Sequence, residues 1–142
     1  MSSRISTQTF DSQIIDEFRA NAGKVGGVFA GAPMVLITTT GAKTGNQITI
    51  PLVYLRDGER VVLIASNHGS DHNPGWYHNL RADPHLTVEL GIEKFPAVAS
   101  IATGAERDRL YGAMAVARPD FARYQEETER EIPVVTVYRE NA

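Results

Sequence analysis

Apolar residues recur along the chain with two different periods, and the change of period divides the sequence into elements. Phe10, Ile14, Ile15 and Phe18 follow helical spacing, which predicts an amphipathic helix over about residues 11–22. Closely spaced glycines mark a loop over residues 23–32. Short apolar, β-branched segments between turn residues then predict six strands, over residues 34–40, 48–55, 60–66, 86–90, 95–102 and 132–138.

Turn residues between these segments indicate antiparallel pairing. Asp57 and Gly58 predict a hairpin between the second and third strands, and Gly91 lies between the fourth and fifth. Pro51 lies within the second strand, which predicts a sheet edge, a bulge or a kink, because proline cannot donate to a ladder.

Three further helices are predicted from capping residues. One starts at Asn73 as N-cap and Pro74 as first helical residue and reaches about Ala82. The next covers about residues 104–117, after Thr103 and Glu106 at capping-box spacing. The last runs from residue 119 to about residue 130. We expect one domain over residues 1–142, mainly β with helices (α+β), folded as a Greek-key-like barrel.

Composition narrows the chemistry. The 142 residues contain no cysteine, which excludes disulfides, thiolate catalysis and cysteine-based metal sites. A net charge of −3 does not favour nucleic acid or an anionic membrane. The N-terminal segment lacks an apolar signal core, and no apolar run is long enough to span a bilayer, so we expect a soluble, cytoplasmic protein.

The 41–45 turn, Gly41-Ala42-Lys43-Thr44-Gly45, is the first candidate site. Its glycines let backbone N–H groups face an anion, and Lys43 adds a positive charge. The alternative is an ordinary solvated hairpin turn, and the sequence of this segment alone favours that alternative. A P-loop is excluded because the spacing is wrong and a strand follows instead of a helix.

Residues 66–79 are the second candidate site. Trp76, the only tryptophan, lies at a predicted helix start, where it could line a planar ligand or simply fill the core. His68 and His72 have the spacing of a helical metal site, but the intervening Gly69 disfavours a helix, so surface histidines are favoured and no metal is predicted. Ser66 is not in a hydrolase nucleophile elbow.

Residues 119–125 are the third candidate site. Phe121 and Tyr124 lie three residues apart on one predicted helix face. Tyr124 could donate a proton in a site, although core packing is the more frequent role of such a pair. Arg118, just before this helix, is expected in solvent.

Taken in order, six segments resemble the deazaflavin (F420)-dependent nitroreductase and quinone reductase family. They are residues 36–45, 51–58, 65–66, 73–80, 119–125 and 132–135, and the resemblance covers about residues 30–138. It implies a split β-barrel of the FMN-binding type and coenzyme F420 as cofactor. It also implies hydride transfer to a quinone, a nitro compound or another activated planar acceptor, with the protein orienting the cofactor and excluding water.

The same resemblance implies the site residues. Ser66 and Tyr124 would be catalytic, and the cofactor tail would lie near the 41–45 turn. The cofactor-binding set is Ala42, Lys43, Thr44, Ile48, Thr49, Ile50, Pro51, Leu52, Val53, Ile64, Ala65, Ser66, Asn67, Gly75, Trp76, Tyr77, His78 and Asn79.

Some positions differ from the family pattern. Ala42, Ile48, Asn67 and His72 stand where relatives carry arginine or lysine, and Arg118 and Phe121 stand where relatives carry tyrosine. Two alternatives therefore accompany the F420 hypothesis. One is a barrel that binds FMN or an apolar ligand such as a fatty acid. The other is a non-enzymatic barrel that binds a partner. A homodimer and a peripheral association with the membrane are compatible with all three.

Overall fold

The computed structural model describes residues 7–27 and 31–140, with side chains from residue 11 onwards. The side chain of Phe10 and part of the predicted 23–32 loop therefore lie outside the described residues. Within these residues, four α-helices and seven strands follow in chain order: α1 Thr7–Ala20, β1 Met34–Thr40, β2 Gln47–Val53, β3 Leu55–Asp57, β4 Arg60–Ile64, α2 Gly75–Ala82, β5 His85–Leu90, β6 Glu93–Ala102, α3 Gly104–Ala117, α4 Asp120–Glu126 and β7 Val134–Arg139.

The strands form one antiparallel sheet in the order β2-β1-β5-β6-β7-β4-β3. Its two edge strands, β2 and β3, are consecutive in the chain and only Tyr54 separates them. Because one residue spans at most about 3.6 Å, the two edges must approach each other at that point. The sheet is therefore curled into a half-barrel, and the Tyr54 amide donates to the Pro33 carbonyl (3.1 Å) where the chain passes between the edges.

Alternating side chains divide the core into an inner and an outer part. Val35, Ile37, Val88 and Val135 point into the curled sheet, and Trp76 packs with them from α2. On the outer surface, α3 covers β4 and β7, and α1 covers the neighbouring positions of β1.

The end of α1 is fixed by a close approach. Gly23 has φ +93° and donates to the Phe18 carbonyl (2.8 Å), and a β-carbon on Gly23 would lie 2.8 Å from the Cα of Gly91. Only glycine satisfies both conditions, so the loop after α1 rests directly on the β5–β6 turn.

The predicted fold class and most elements are confirmed. The first strand and the third helix have the predicted bounds, the Asp57-Gly58 and Gly91 hairpins form, and Pro51 lies in an edge strand. The strand count was wrong: the predicted 48–55 segment splits at Tyr54, because its first part pairs with β1 and its last residues turn to pair with β4. The predicted 60–66 strand ends at Ile64, since Ser66 adopts helical backbone angles.

The helix bounds also differ. The first helix covers Thr7–Ala20 instead of about residues 11–22, because the Gly23 amide closes it on the Phe18 carbonyl. Pro74, and not Asn73, is the N-cap of α2, because the Asn73 side chain accepts a hydrogen bond from Arg130 instead of capping. Thr103 is the N-cap of α3, but no capping box forms, since Glu106 accepts from Arg60 (2.9 Å). The fourth helix stops at Glu126.

Candidate functional site

A cavity of about 750 Å³ lies where the β2 edge, α2 and α4 meet. Its volume is in the range of small-molecule sites. One wall, from β1, β2 and α2, is formed by Thr39, Ile48, Ile50, Pro51, Leu52, Val53, Pro74, Gly75, Trp76 and Asn79. Met34 of β1, which pairs with Val53, completes this wall. A second wall and the mouth are formed by Asp11, Ile64, Ser66, Asn67, His68, Arg118, Asp120, Phe121 and Tyr124.

The first wall is apolar over most of its area. Pro51 places no N–H group in the edge strand, and the neighbouring aliphatic side chains are half-buried. Trp76 is 7% exposed, belongs to the inner core and also borders the cavity. It therefore fills the core, and its contact with a planar ligand stays a prediction. A flat ring system would bury its faces well between these side chains.

Asn79 connects this wall to the 41–45 turn. Its Oδ1 accepts from the Ala42 amide (2.9 Å) and its Nδ2 donates to the Thr39 hydroxyl (3.1 Å). Within the turn, the Gly45 amide donates to the Gly41 carbonyl (2.8 Å). The turn is therefore fixed against α2, with Lys43 exposed at its tip.

Several residues of the predicted set lie beside the cavity without lining it. Thr49 bonds to the Thr38 hydroxyl (2.7 Å), and Ala65 and Tyr77 are buried in the inner core. Ala42, Lys43, Thr44 and His78 are exposed. Direct contact with a ligand in the cavity is thus available to the remaining residues of the predicted set: Ile48, Ile50, Pro51, Leu52, Val53, Ile64, Ser66, Asn67, Gly75, Trp76, Asn79 and Tyr124.

The 66–73 loop forms part of the second wall and is held by Arg130. The guanidinium donates to the carbonyl oxygens of Ser70 (2.8 Å) and Ser66 (2.9 Å) and to the side chain of Asn73. Burial lowers the pKa of Arg130, and the nearby Asp71 carboxylate acts in the opposite direction. Sequence analysis missed this residue, because its acceptors lie about 60 positions earlier in the chain.

A second arginine and a glutamine hold α4 beside that loop. Arg107 is 8% exposed and donates to the Ile132 carbonyl (2.8 Å) and to Gln125 Oε1 (2.6 Å). Gln125 Nε2 in turn donates to the Arg130 carbonyl (2.8 Å). This network fixes the segment after α4, which explains why the predicted helix to residue 130 ends early.

Close packing of α4 against the loop forms an aromatic wall. A β-carbon on Gly69 would lie 3.3 Å from the Cα of Tyr124, so the two backbones nearly touch. The rings of His68 and Tyr124 meet edge to face at 6.0 Å, and those of Phe121 and Tyr124 at 5.3 Å. Tyr111 supports the wall from α3 by donating to the Phe121 carbonyl, and burial raises its pKa.

Charged side chains lie at the cavity mouth. Arg118, expected in solvent, is half-buried and borders the cavity with Asp120. Burial raises the pKa of Asp11, which reaches the mouth from α1. Among residues 7–27 and 31–140, no group of three histidine or acidic side chains is placed to hold a metal ion. The helices of the same residues are too short or too polar to cross a membrane.

Comparison with known proteins gives the family of the chain. A family model described as F420H(2)-dependent quinone reductase matches residues 12–139. An F420H(2)-dependent quinone reductase of Mycobacterium tuberculosis is 36% identical over 126 residues, which cover 86% of this chain and 85% of that protein. The chain belongs to the F420H(2)-dependent quinone reductase family.

Solved structures place the fold of this family member among split β-barrels. An F420-H2 dependent reductase, FDR-A, has a TM-score of 0.69 and 37% identity and covers 74% of this chain and 93% of its own. A chain described as a domain-swapped dimer has a TM-score of 0.70 and 32% identity, and the match covers 93% and 99% of the two chains. The heme storage protein HutZ of Vibrio cholerae shares the fold alone, with a TM-score of 0.57 at 15% identity over 93% and 92% of the chains.

Proposed function

We propose that this protein is an oxidoreductase that transfers a hydride from reduced coenzyme F420 to a quinone. The observation that carries the proposal is the cavity itself, which has an apolar wall suited to one flat ring and an aromatic wall suited to a second. Two facing planar partners are the requirement of a direct hydride transfer.

The residues of the first wall fit the ring of the cofactor. Pro51, Leu52 and Trp76 offer apolar surface to a tricyclic ring, and Ser66 and Asn67 offer polar groups at its border. The volume of about 750 Å³ accommodates a ring of this size together with a small acceptor. We therefore assign the cofactor ring to the β2 and α2 side of the cavity.

The acidic tail of the cofactor fits the side of the 41–45 turn. Lys43 is exposed there and carries a positive charge, while Ala42 and Ile48 add none. Asn79 holds this turn to the same helix that lines the cavity, so a ligand can contact both. With a single lysine at the turn, we expect the tail to contribute less affinity than the ring.

Bound F420H2 supplies the hydride. The protein's own contribution is to orient both partners and to keep water from the ring. Ser66 is 8% exposed and can donate a hydrogen bond to the ring or the acceptor from a fixed position. Tyr124 lines the acceptor side with Phe121, where its phenol can hold an acceptor oxygen.

A quinone is the acceptor we favour over a nitro compound. The acceptor side keeps Tyr124, but Arg118 and Phe121 occupy neighbouring positions of the wall. Phe121 has no hydroxyl to bond a nitro group, whereas a quinone needs mainly a flat apolar surface and one donor. A homodimer, a cytoplasmic location and peripheral association with the membrane remain predictions, and sedimentation tests the first of them.

The experiment is a titration of the purified protein with coenzyme F420, beside FMN, followed by the fluorescence of Trp76. Because Trp76 is the only tryptophan and borders the cavity, binding there should quench its emission directly. Oxidation of F420H2 by a soluble quinone, with a nitroimidazole in parallel, then tests the reaction. Quenching by FMN alone, or by neither compound, would contradict the proposal.

Lys43→Ala tests whether Lys43 binds the acidic tail of the cofactor. Loss of one charge-assisted contact should weaken F420 binding by about tenfold and reduce its salt dependence. Lys94→Ala, an exposed lysine on β6 outside the cavity lining, is the control and should bind as the unaltered protein does.

A further inference from the structure

The backbone of the 66–73 loop contains an unusual run of left-handed residues. Asn67, His68 and Gly69 have φ of 47°, 56° and 82°. Glycine adopts this region freely, but a side chain with a β-carbon is strained there. Asparagine and histidine enter this region more often than other residues with a β-carbon, but such positions remain uncommon and are concentrated at functional sites.

The surrounding structure imposes this conformation. Arg130 holds the loop by the carbonyl oxygens of Ser66 and Ser70, and Gly69 lies against the backbone of α4 at Tyr124. The result is that the His68 side chain borders the cavity, on the wall assigned to the acceptor.

The His68 imidazole is available for chemistry. Its ring contacts the ring of Tyr124 edge to face, and within the described parts of the chain no hydrogen bond engages either of its nitrogens. The residue is also exposed, so solvent can exchange protons with it. Tyr124 is the titratable group in contact with it. The other charged and titratable groups on the surrounding elements are Asp120, Arg123 and Glu127 of α4, Arg118 before α4, Asp11 of α1, Arg130 after α4, and Asp71 and His72 of its own loop.

We propose that His68 is the catalytic acid that protonates the reduced acceptor, an inference that rests on the proposed function. Hydride addition to a quinone produces the hydroquinone monoanion. The imidazolium N–H bond then breaks as an O–H bond forms, which gives hydroquinone and neutral imidazole. A proton from solvent restores the imidazolium, so that the quinone gains one hydride and one proton in all.

His68→Gly is the decisive variant, because the strained backbone separates a catalytic from a structural role. Glycine suits φ of 56°, so the variant should unfold at the same temperature as the unaltered protein or a higher one. Its kcat with F420H2 and menadione should fall about 10²-fold, the usual contribution of a general acid. Free imidazole should restore much of the lost rate.

Ala22→Gly is the matched control. Ala22 has φ of 55°, is exposed and lies after α1, outside the cavity lining. This variant should share any gain in stability and keep full activity, without a response to imidazole. The dependence of kcat on pH should differ between the unaltered protein and His68→Gly, and should be unchanged in Ala22→Gly.

The outcomes are distinguishable. Unaltered kcat in His68→Gly, or a lower unfolding temperature with no rescue by imidazole, overturns the role of His68 while leaving the proposed function intact. Failure of both the unaltered protein and Ala22→Gly to oxidise F420H2 with menadione overturns the proposed function, and this inference with it.

Discussion

Arg130 is the residue whose removal should most disturb the cavity without touching a ligand. Arg130→Met keeps much of the side-chain volume and removes the bonds to Ser66, Ser70 and Asn73. A hydrogen bond from a charged group contributes about 1.5–3 kcal/mol when buried. Because Arg130 is only half-buried, water replaces part of each bond, and we expect a loss of about 2–4 kcal/mol in the free energy of unfolding.

Urea unfolding measures this loss as a lower midpoint at unchanged slope. Arg123→Met is the control, since Arg123 also lies near the loop but its ion pairs with Asp120 (3.0 Å) and Glu127 (4.0 Å) are exposed. Exposed pairs of this kind contribute at most about 1 kcal/mol. Arg130→Lys should fall between the two, because an ammonium cannot reach all of the acceptors at once.

The same variants report on the site. With the loop released, His68 and Asn67 lose their fixed positions at the cavity, so Arg130→Met should lower kcat more than it raises KM for the quinone. Equal stability of Arg130→Met and Arg123→Met would refute the assignment of Arg130 as the residue that holds the loop. A stability loss with unchanged kinetics would refute its connection to the acceptor wall.

Two further predictions concern stability. Gly69→Ala places a β-carbon against the α4 backbone at φ +82° and should lower the free energy of unfolding by about 2–3 kcal/mol. Gly45→Ala, at φ +75° with no atom within 4 Å of the new β-carbon, should lower it by about 1 kcal/mol. Equal losses in the two variants, measured by thermal unfolding, would contradict the close approach of Gly69 to α4. Arg19, bonded to Glu89 at 2.8 Å, lowers the pKa of that carboxyl. The pair therefore stabilises the folded state above the ordinary carboxyl pKa, and the stability difference between the unaltered protein and Arg19→Met should vanish as pH falls through the lowered value.

The elements that the sequence predicts correctly are those that local pattern determines. The first strand is a run of apolar and β-branched residues, and the hairpin at Gly91 joins two segments that pair with each other. The apolar lining of the cavity also comes from segments that the sequence singles out, although its contact with a cofactor stays a prediction. The residues of β2 form one short run of sequence and those of α2 another, and the family resemblance names both runs.

The elements predicted wrongly depend on contacts between distant segments. The split of the second strand at Tyr54 follows from closure of the sheet, which brings its two edges together. The early end of α4 follows from the Arg107 and Gln125 network. In both places the local residues are compatible with a longer element, and a distant partner determines where it ends.

The acceptor wall depends both on local sequence and on contacts between distant segments. Arg130 holds the 66–73 loop largely through main-chain carbonyl oxygens, which every residue type supplies. The loop conformation therefore depends on Arg130 and on Gly69, whereas the side chain at position 68 is not needed to maintain it. A change at His68 should consequently alter chemistry or specificity while the fold remains intact, and a change at Arg130 should affect both. That asymmetry follows from which atoms the guanidinium contacts, and Arg130→Met compared with His68→Gly tests it directly.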